Sequence, residues 1–144
     1  MKKAISALTI LIVSVVRSAE LPISIKALIP RHADITWQST IERDEKEKIS
    51  VFYCLPKLGR NDVAKYLEIF ELEGDGAAKR LDRIYLGGRG ACSIDEIKEN
   101  GEAILIHVRE HQGSDSISTP TKEAIITIRY RALPISISKT YTNE

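Results

Sequence analysis

Two cysteines, one tryptophan and one methionine stand among 144 residues, and no apolar run reaches membrane-spanning length. Each scarcity removes a class of protein. A spanning helix needs roughly 20 apolar residues, whereas the longest uncharged N-terminal run, Ala4 to Val16, has thirteen. The cysteines are far apart in sequence, so neither a Cys-x-x-Cys redox site nor a cysteine zinc site is present. Aromatics make up 6% of the chain and do not cluster, which leaves no stacking platform for sugars or single strands. Lys and Arg total 21 against 20 Asp and Glu; a strongly basic face for nucleic acid is not expected. G-x-S-x-G and H-E-x-x-H are missing, and Gly88-Arg89-Gly90 lacks the third glycine of a dinucleotide site. No cofactor and no metal are expected.

What is there begins at the N-terminus. Lys2 and Lys3 precede the apolar run, and the small residues Ser18 and Ala19 come after it. That order reads as a secretory signal peptide over residues 1–18, with Ala19 an alternative last residue. No cysteine directly follows the run, so a lipoprotein attachment site is missing and no stable membrane anchor is expected after cleavage. Residues 19–144 form one expected domain, periplasmic or secreted. Losing Lys2, Lys3 and Arg17 takes the formal charge from +1 to −2. Export also gives the cysteines a meaning: in an oxidising compartment Cys54 and Cys92 are expected to form a disulfide. It would close a loop of about 39 residues and contribute ~4 kcal/mol on loop entropy.

Alternation at period two, the strand signature, recurs throughout. In Ile35–Ile41, Ile35, Trp37 and Ile41 share one face. The charged stretch Glu42–Lys48 reads as a hairpin tip. Ile49–Leu55 carries large groups on both faces, as a central strand would. Lys57–Asp62 is a loop, Tyr66–Leu72 and Arg80–Leu86 are strands, and Glu73-Gly74-Asp75-Gly76 is a turn. Ser93–Gly101 fits either a capped helix or a hairpin at Asn100-Gly101, and the hairpin is preferred. Ala103–Glu110 and Ala124–Tyr130 are the clearest strands. Leu21–Lys26 (LPISIK) and Leu133–Ser138 (LPISIS) nearly repeat and read as terminal edge strands. The expected fold is all-β and mostly antiparallel, a sandwich or small barrel of about eight short strands with at most one short helix.

His107-Val108-Arg109-Glu110-His111 spells H-x-x-E-H, the inverted zinc-protease signature, but that chemistry needs a helix. On a strand His107 and His111 lie roughly 13 Å apart at about 3.3 Å per residue, and Glu110 points to the other face. A metal-dependent hydrolase is therefore the weakest reading. A second constellation is better. If the two clear strands pair, His107, Arg109 and His111 come beside Thr127, Arg129 and Arg131 as a basic stripe, with Ser114, Asp115 and Ser116 on the loop beyond. Loops on rigid scaffolds favour binding. The expectation is a non-enzymatic exported domain that binds another protein, such as a cell-wall hydrolase or a toxin, as an inhibitor or immunity protein. The alternative is a structural or assembly subunit of an envelope complex whose terminal strands add to a neighbour's sheet. The sequence leaves the oligomeric state open.

Overall fold

The computed structural model describes residues 20–43, 46–56, 63–88, 92–116 and 119–142. The expected signal peptide, the expected loop Lys57–Asp62, and residues 44–45, 89–91, 117–118 and 143–144 lie outside the described residues.

A short helix α1 (Ile23–Lys26) precedes eight strands: β1 (Asp34–Arg43), β2 (Lys46–Pro56), β3 (Val63–Leu72), β4 (Ala78–Gly87), β5 (Cys92–Glu99), β6 (Ala103–Glu110), β7 (Lys122–Arg129) and β8 (Ser136–Tyr141). They form two four-stranded antiparallel meanders in sequence order, β1 to β4 and β5 to β8. Alternation does the sorting. On β6, Ile104, Ile106 and Val108 are buried, as are Ala124, Ile126 and Ile128 on β7. Against them the first sheet sets Phe52, Leu67, Ile69, Ile84 and Leu86, and one apolar cluster joins both sheets. The fold is a β-sandwich, as the strand pattern predicts.

The first sheet is apolar on both faces. Its outer face carries Ile49, Val51, Tyr53 and Phe70, which pack under Leu21, Ile25 and Ile29. This is why β2 is rich in large residues at every position: it lies between β1 and β3 with a core on each side. The N-terminal LPISIK is therefore not an edge strand. Pro22 sits extended just before α1, and the next turn buries Ile25 completely. Burying such a side chain contributes roughly 1.5–3 kcal/mol, more than pairing one more short exposed strand offers.

Three further expectations meet the structure. A register shift between Ile35 and Trp37 puts them on opposite faces: Ile35 lies opposite Tyr53 on the outer side, while Trp37 packs into the inter-sheet core. Strict alternation places both together, and the extra residue of a bulge breaks it. The segment 93–101 forms the strand and turn of a hairpin, with Gly101 at φ 84° and the Asn100 side chain accepting from the Glu102 and Ala103 N–H groups. The Cys54 thiol is free, which corrects the expected Cys54–Cys92 disulfide. Cys54 lies in the middle of the first sheet, in register with Asp34 and Lys65, whereas Cys92 opens the edge strand of the second. The Cys92 side chain lies outside the described residues. Burial pushes the Cys54 thiol pKa up, with Lys65 opposing and Asp34 adding to the rise.

Candidate functional site

The predicted basic stripe is not continuous, and the register explains why. β6 and β7 do pair, but Arg109 stands opposite Glu123, His107 opposite Ile125 and Leu105 opposite Thr127. Arg129 pairs with Ala103 at the far end, six residues from Glu123, or roughly 20 Å along the strand. In a hairpin the residues nearest the loop meet each other, so the two basic groups fall at opposite ends. Each end is also locally neutralised. Asp95 accepts from Arg109 Nε and Nη2 at 2.8 Å each, and Arg131 pairs with Glu102 at 3.1 Å. Beside His107 a shallow pocket of about 360 Å³ is lined by the carboxylates Asp95, Glu96 and Glu123 and by Thr142, with Asp95 and Glu96 already paired to Arg109 and Lys98.

The loop residues organise themselves. The Asp115 carboxylate accepts from the backbone N–H of Gln112 (2.8 Å) and of Thr121 (2.9 Å) and from the Thr121 hydroxyl. The Gln112 bond is the main reason its pKa lies below the ordinary value. Ser116 bonds the Thr119 hydroxyl, and Ser114 is exposed. His111 lies just past the end of β6, half-buried. The H-x-x-E-H residues sit on a strand: Glu110 accepts from Lys139 and from the Tyr141 hydroxyl, on the face away from His107. Among the described residues no three His, Cys, Asp or Glu side chains are placed to hold a metal.

A different constellation appears on the outer face of the first sheet. In register across all four strands run Ile35, Tyr53, Tyr66 and Tyr85. The Tyr53 and Tyr66 rings lie 5.6 Å apart and nearly stacked, and Tyr66 and Tyr85 lie 5.4 Å apart and tilted. Tyr53 is fully buried, whereas Tyr85 is 57% exposed. One register step along β3 is Glu68, a carboxylate with no exposed surface. It is held on all sides. The Tyr53 hydroxyl donates to Oε1 at 2.8 Å, Arg83 Nε lies 3.0 Å from the same oxygen, and Arg80 Nε donates to Oε2 at 3.2 Å. Arg80 also donates to the Leu28 carbonyl (2.9 Å), tying the N-terminal segment to the sheet. Arg83 stacks 4.3 Å above the Tyr66 ring.

A buried carboxylate is costly unless its oxygens are paired. Here three donors converge on two oxygens, which positions both guanidiniums. Burial, then the bond to Glu68, pushes the Tyr53 pKa up to about 12, while Arg83 pulls the other way. The result is a rigid plate. Tyr85 and the outer halves of Arg80 and Arg83, 38% and 40% exposed, face solvent over a fixed aromatic base. Two positive charges stand over one negative charge among the described residues here, leaving a local excess of one. Stacked rings and clamped guanidiniums suit recognition of an apolar group beside a carboxylate, through cation–π and charge-assisted hydrogen bonds.

Sequence reasoning missed this cluster, although a signal existed. In Tyr66–Leu72 the alternation places Glu68 between Tyr66 and Phe70 on one face, and a carboxylate inside an apolar row requires a partner. The arginines were invisible for a different reason. Arg80 and Arg83 share the outer face only because a register shift between Ile69 and Phe70 inserts a residue between them. No family model, no curated protein and no solved structure matches this chain.

Proposed function

We propose that the chain is an exported, non-enzymatic protein-binding domain of the cell envelope, an inhibitor or immunity protein whose partner is a cell-wall hydrolase or a toxin. Its docking surface is the plate of Tyr85, Arg83 and Arg80 rather than the broken stripe on the second sheet. The observation that carries this reading is the exposed Tyr85 packed at a tilt against Tyr66, beside arginines clamped by a buried carboxylate. Tyr and Arg dominate binding hot spots because they bring large contact area at low entropic cost. The plate is preorganised, so little ordering opposes association. Among the described residues no helix is long and apolar enough to cross a membrane.

Affinity capture from envelope extract tests the proposal. The purified chain should retain a specific partner, Tyr85→Asp should lose it, and Arg109→Glu on the other sheet should keep it. Equal capture by all three forms removes the plate from the proposal, and no specific capture by the parent chain ends it. The assembly reading keeps only its C-terminal half, because Leu21–Lys26 is consumed by packing while β8 remains an edge.

A further inference from the structure

The four edge strands of the sandwich are β1, β4, β5 and β8. Proteins defend such edges with bulges, prolines or inward charges, because an unpaired row of N–H and C=O groups recruits other strands. Three of the four are defended by irregularity. Register shifts interrupt β1 against β2, β4 against β3, and β5 against β6. β8 is different: all six of its residues pair with β7 without a shift, from Ser136 opposite Arg129 to Tyr141 opposite Ala124. Five of the six are exposed.

The inner face of β8 carries Ile137, Lys139 and Tyr141, with Ile135 just before the strand. Ile135 and Tyr141 pack on the core, but Ile137 between them is 51% exposed. Leu133 at the start of the segment is 65% exposed. Lys139 is an inward charge of the kind that discourages pairing, yet Glu110 neutralises it. The edge is thus regular, carries an exposed apolar side chain at Ile137 near its start, and has its one cation paired.

We infer that β8 pairs antiparallel with β8 of a second copy of this chain, joining two four-stranded sheets into one of eight strands. This rests on the assembly reading above and is independent of the Tyr85 plate, which lies on the other sheet. The strand's own chemistry selects the occupant. With its one cation already neutralised, β8 offers no charge for an acidic or basic partner to read and none to repel itself. Its sequence also fits itself in register. With Ile137 opposite Ile137 of the second copy, the two exposed apolar side chains bury each other, Ser136 faces Ser138, and the two lysines are kept apart. The register with Lys139 opposite Lys139 sets like charges face to face and is disfavoured.

Sedimentation of the purified chain from micromolar to millimolar concentration reads the outcome. A concentration-dependent dimer is expected, and Ile137→Lys should raise its dissociation constant at least about tenfold while leaving circular dichroism unchanged, and Tm unchanged at dilutions where the parent chain is a monomer. Oxidation of Ile137→Cys should link two copies through the new thiols, above the background of the parent chain, because directly opposed strand residues lie within disulfide reach. Thr140→Cys, off the two-fold axis, should not. A monomer throughout overturns the inference. So does a dimer that survives Ile137→Lys or is lost with Tyr85→Asp instead, and equal cross-linking at positions 137 and 140 overturns the register.

Discussion

Tyr53→Phe removes one oxygen from the centre of the first sheet's outer core, and its effect should depend on pH in a calculable way. The lost hydroxyl donates to a fully buried carboxylate at 2.8 Å. Hydrogen bonds to charged groups contribute about 1.5–3 kcal/mol. Arg80 and Arg83 remain on Glu68, so the carboxylate is not orphaned and the loss at pH 8 should fall near the lower end, about 1–2 kcal/mol. The parent chain behaves differently in alkali. Free tyrosine ionises near pH 10, but burial and the bond to Glu68 push Tyr53 to about 12. A group whose folded pKa is raised contributes its full stabilisation below the unfolded pKa and loses it as pH climbs through the folded one. By about pH 11.5 the linkage removes roughly 1–2 kcal/mol from the parent and nothing from the phenylalanine variant. The two stabilities should therefore converge between pH 8 and about 11.5. Urea unfolding at both pH values measures the difference directly, with other tyrosines and lysines cancelling between the two proteins. A gap that stays constant or widens in alkali refutes the buried Tyr53–Glu68 pairing.

Three smaller tests address other parts of the fold. Ile25→Ala should destabilise the domain by about 2–4 kcal/mol, as large-to-small changes at fully buried sites do, because α1 is part of the outer core and not a loose arm; a Tm shift within error would show otherwise. Gly101→Ala should cost about 1–2 kcal/mol from backbone conformation alone, since φ is 84° and an added Cβ meets nothing within 4 Å; denaturant titration reads it. At Glu110, burial acts to raise the carboxyl, but the Lys139 and Tyr141 bonds outweigh it and hold the pKa below 4.5. Its stabilisation is present above the ordinary glutamate range and lost as pH falls through the depressed value. Glu110→Gln should accordingly flatten the acid limb of the stability profile, visible as a smaller stability loss on acidification than in the parent chain.

The sequence and the structure agree most where one rule suffices. Ala103–Glu110 and Ala124–Tyr130 alternate without interruption, face one apolar layer and pair in a clean register. Agreement fails where one residue is inserted: the bulges at Ile35/Trp37 and Ile69/Phe70 move Trp37 and Arg80 to faces that counting by two does not assign. The candidate plate depends on such an insertion, which is why alternation assigns its tyrosines and arginines to strands but does not bring Arg80 and Arg83 to one face. The basic stripe failed for the complementary reason. Its strands were right, but the antiparallel register, which decides which residues are neighbours, set Arg109 against Glu123.

The two LPISI segments carry this point furthest, because there the local sequence is the same and the structure is not. Leu21-Pro22-Ile23-Ser24-Ile25 enters α1, whereas Leu133-Pro134-Ile135-Ser136-Ile137 enters β8. The isoleucines exchange roles. In the helix the second, Ile25, is buried and the first, Ile23, is 85% exposed; before and in the strand the first, Ile135, packs on the core and the second, Ile137, is exposed. Five residues with two isoleucines at a spacing of two suit a strand slightly and forbid neither state. The residues C-terminal to each segment decide between them. Lys26-Ala27-Leu28 are good helix formers, and the turn they complete swings Ile25 and Ile29 onto a sheet face already lined by Val51 and Phe70. Thr140 and Tyr141 favour extension, and β7 offers an open ladder beside them. Propensity differences of a few tenths of a kcal/mol per residue are thereby overruled by burial contributing roughly 1.5–3 kcal/mol per side chain. That burial is only partial at Ile137, so β8 keeps a half-exposed isoleucine near the start of a regular edge, where a second strand can cover it.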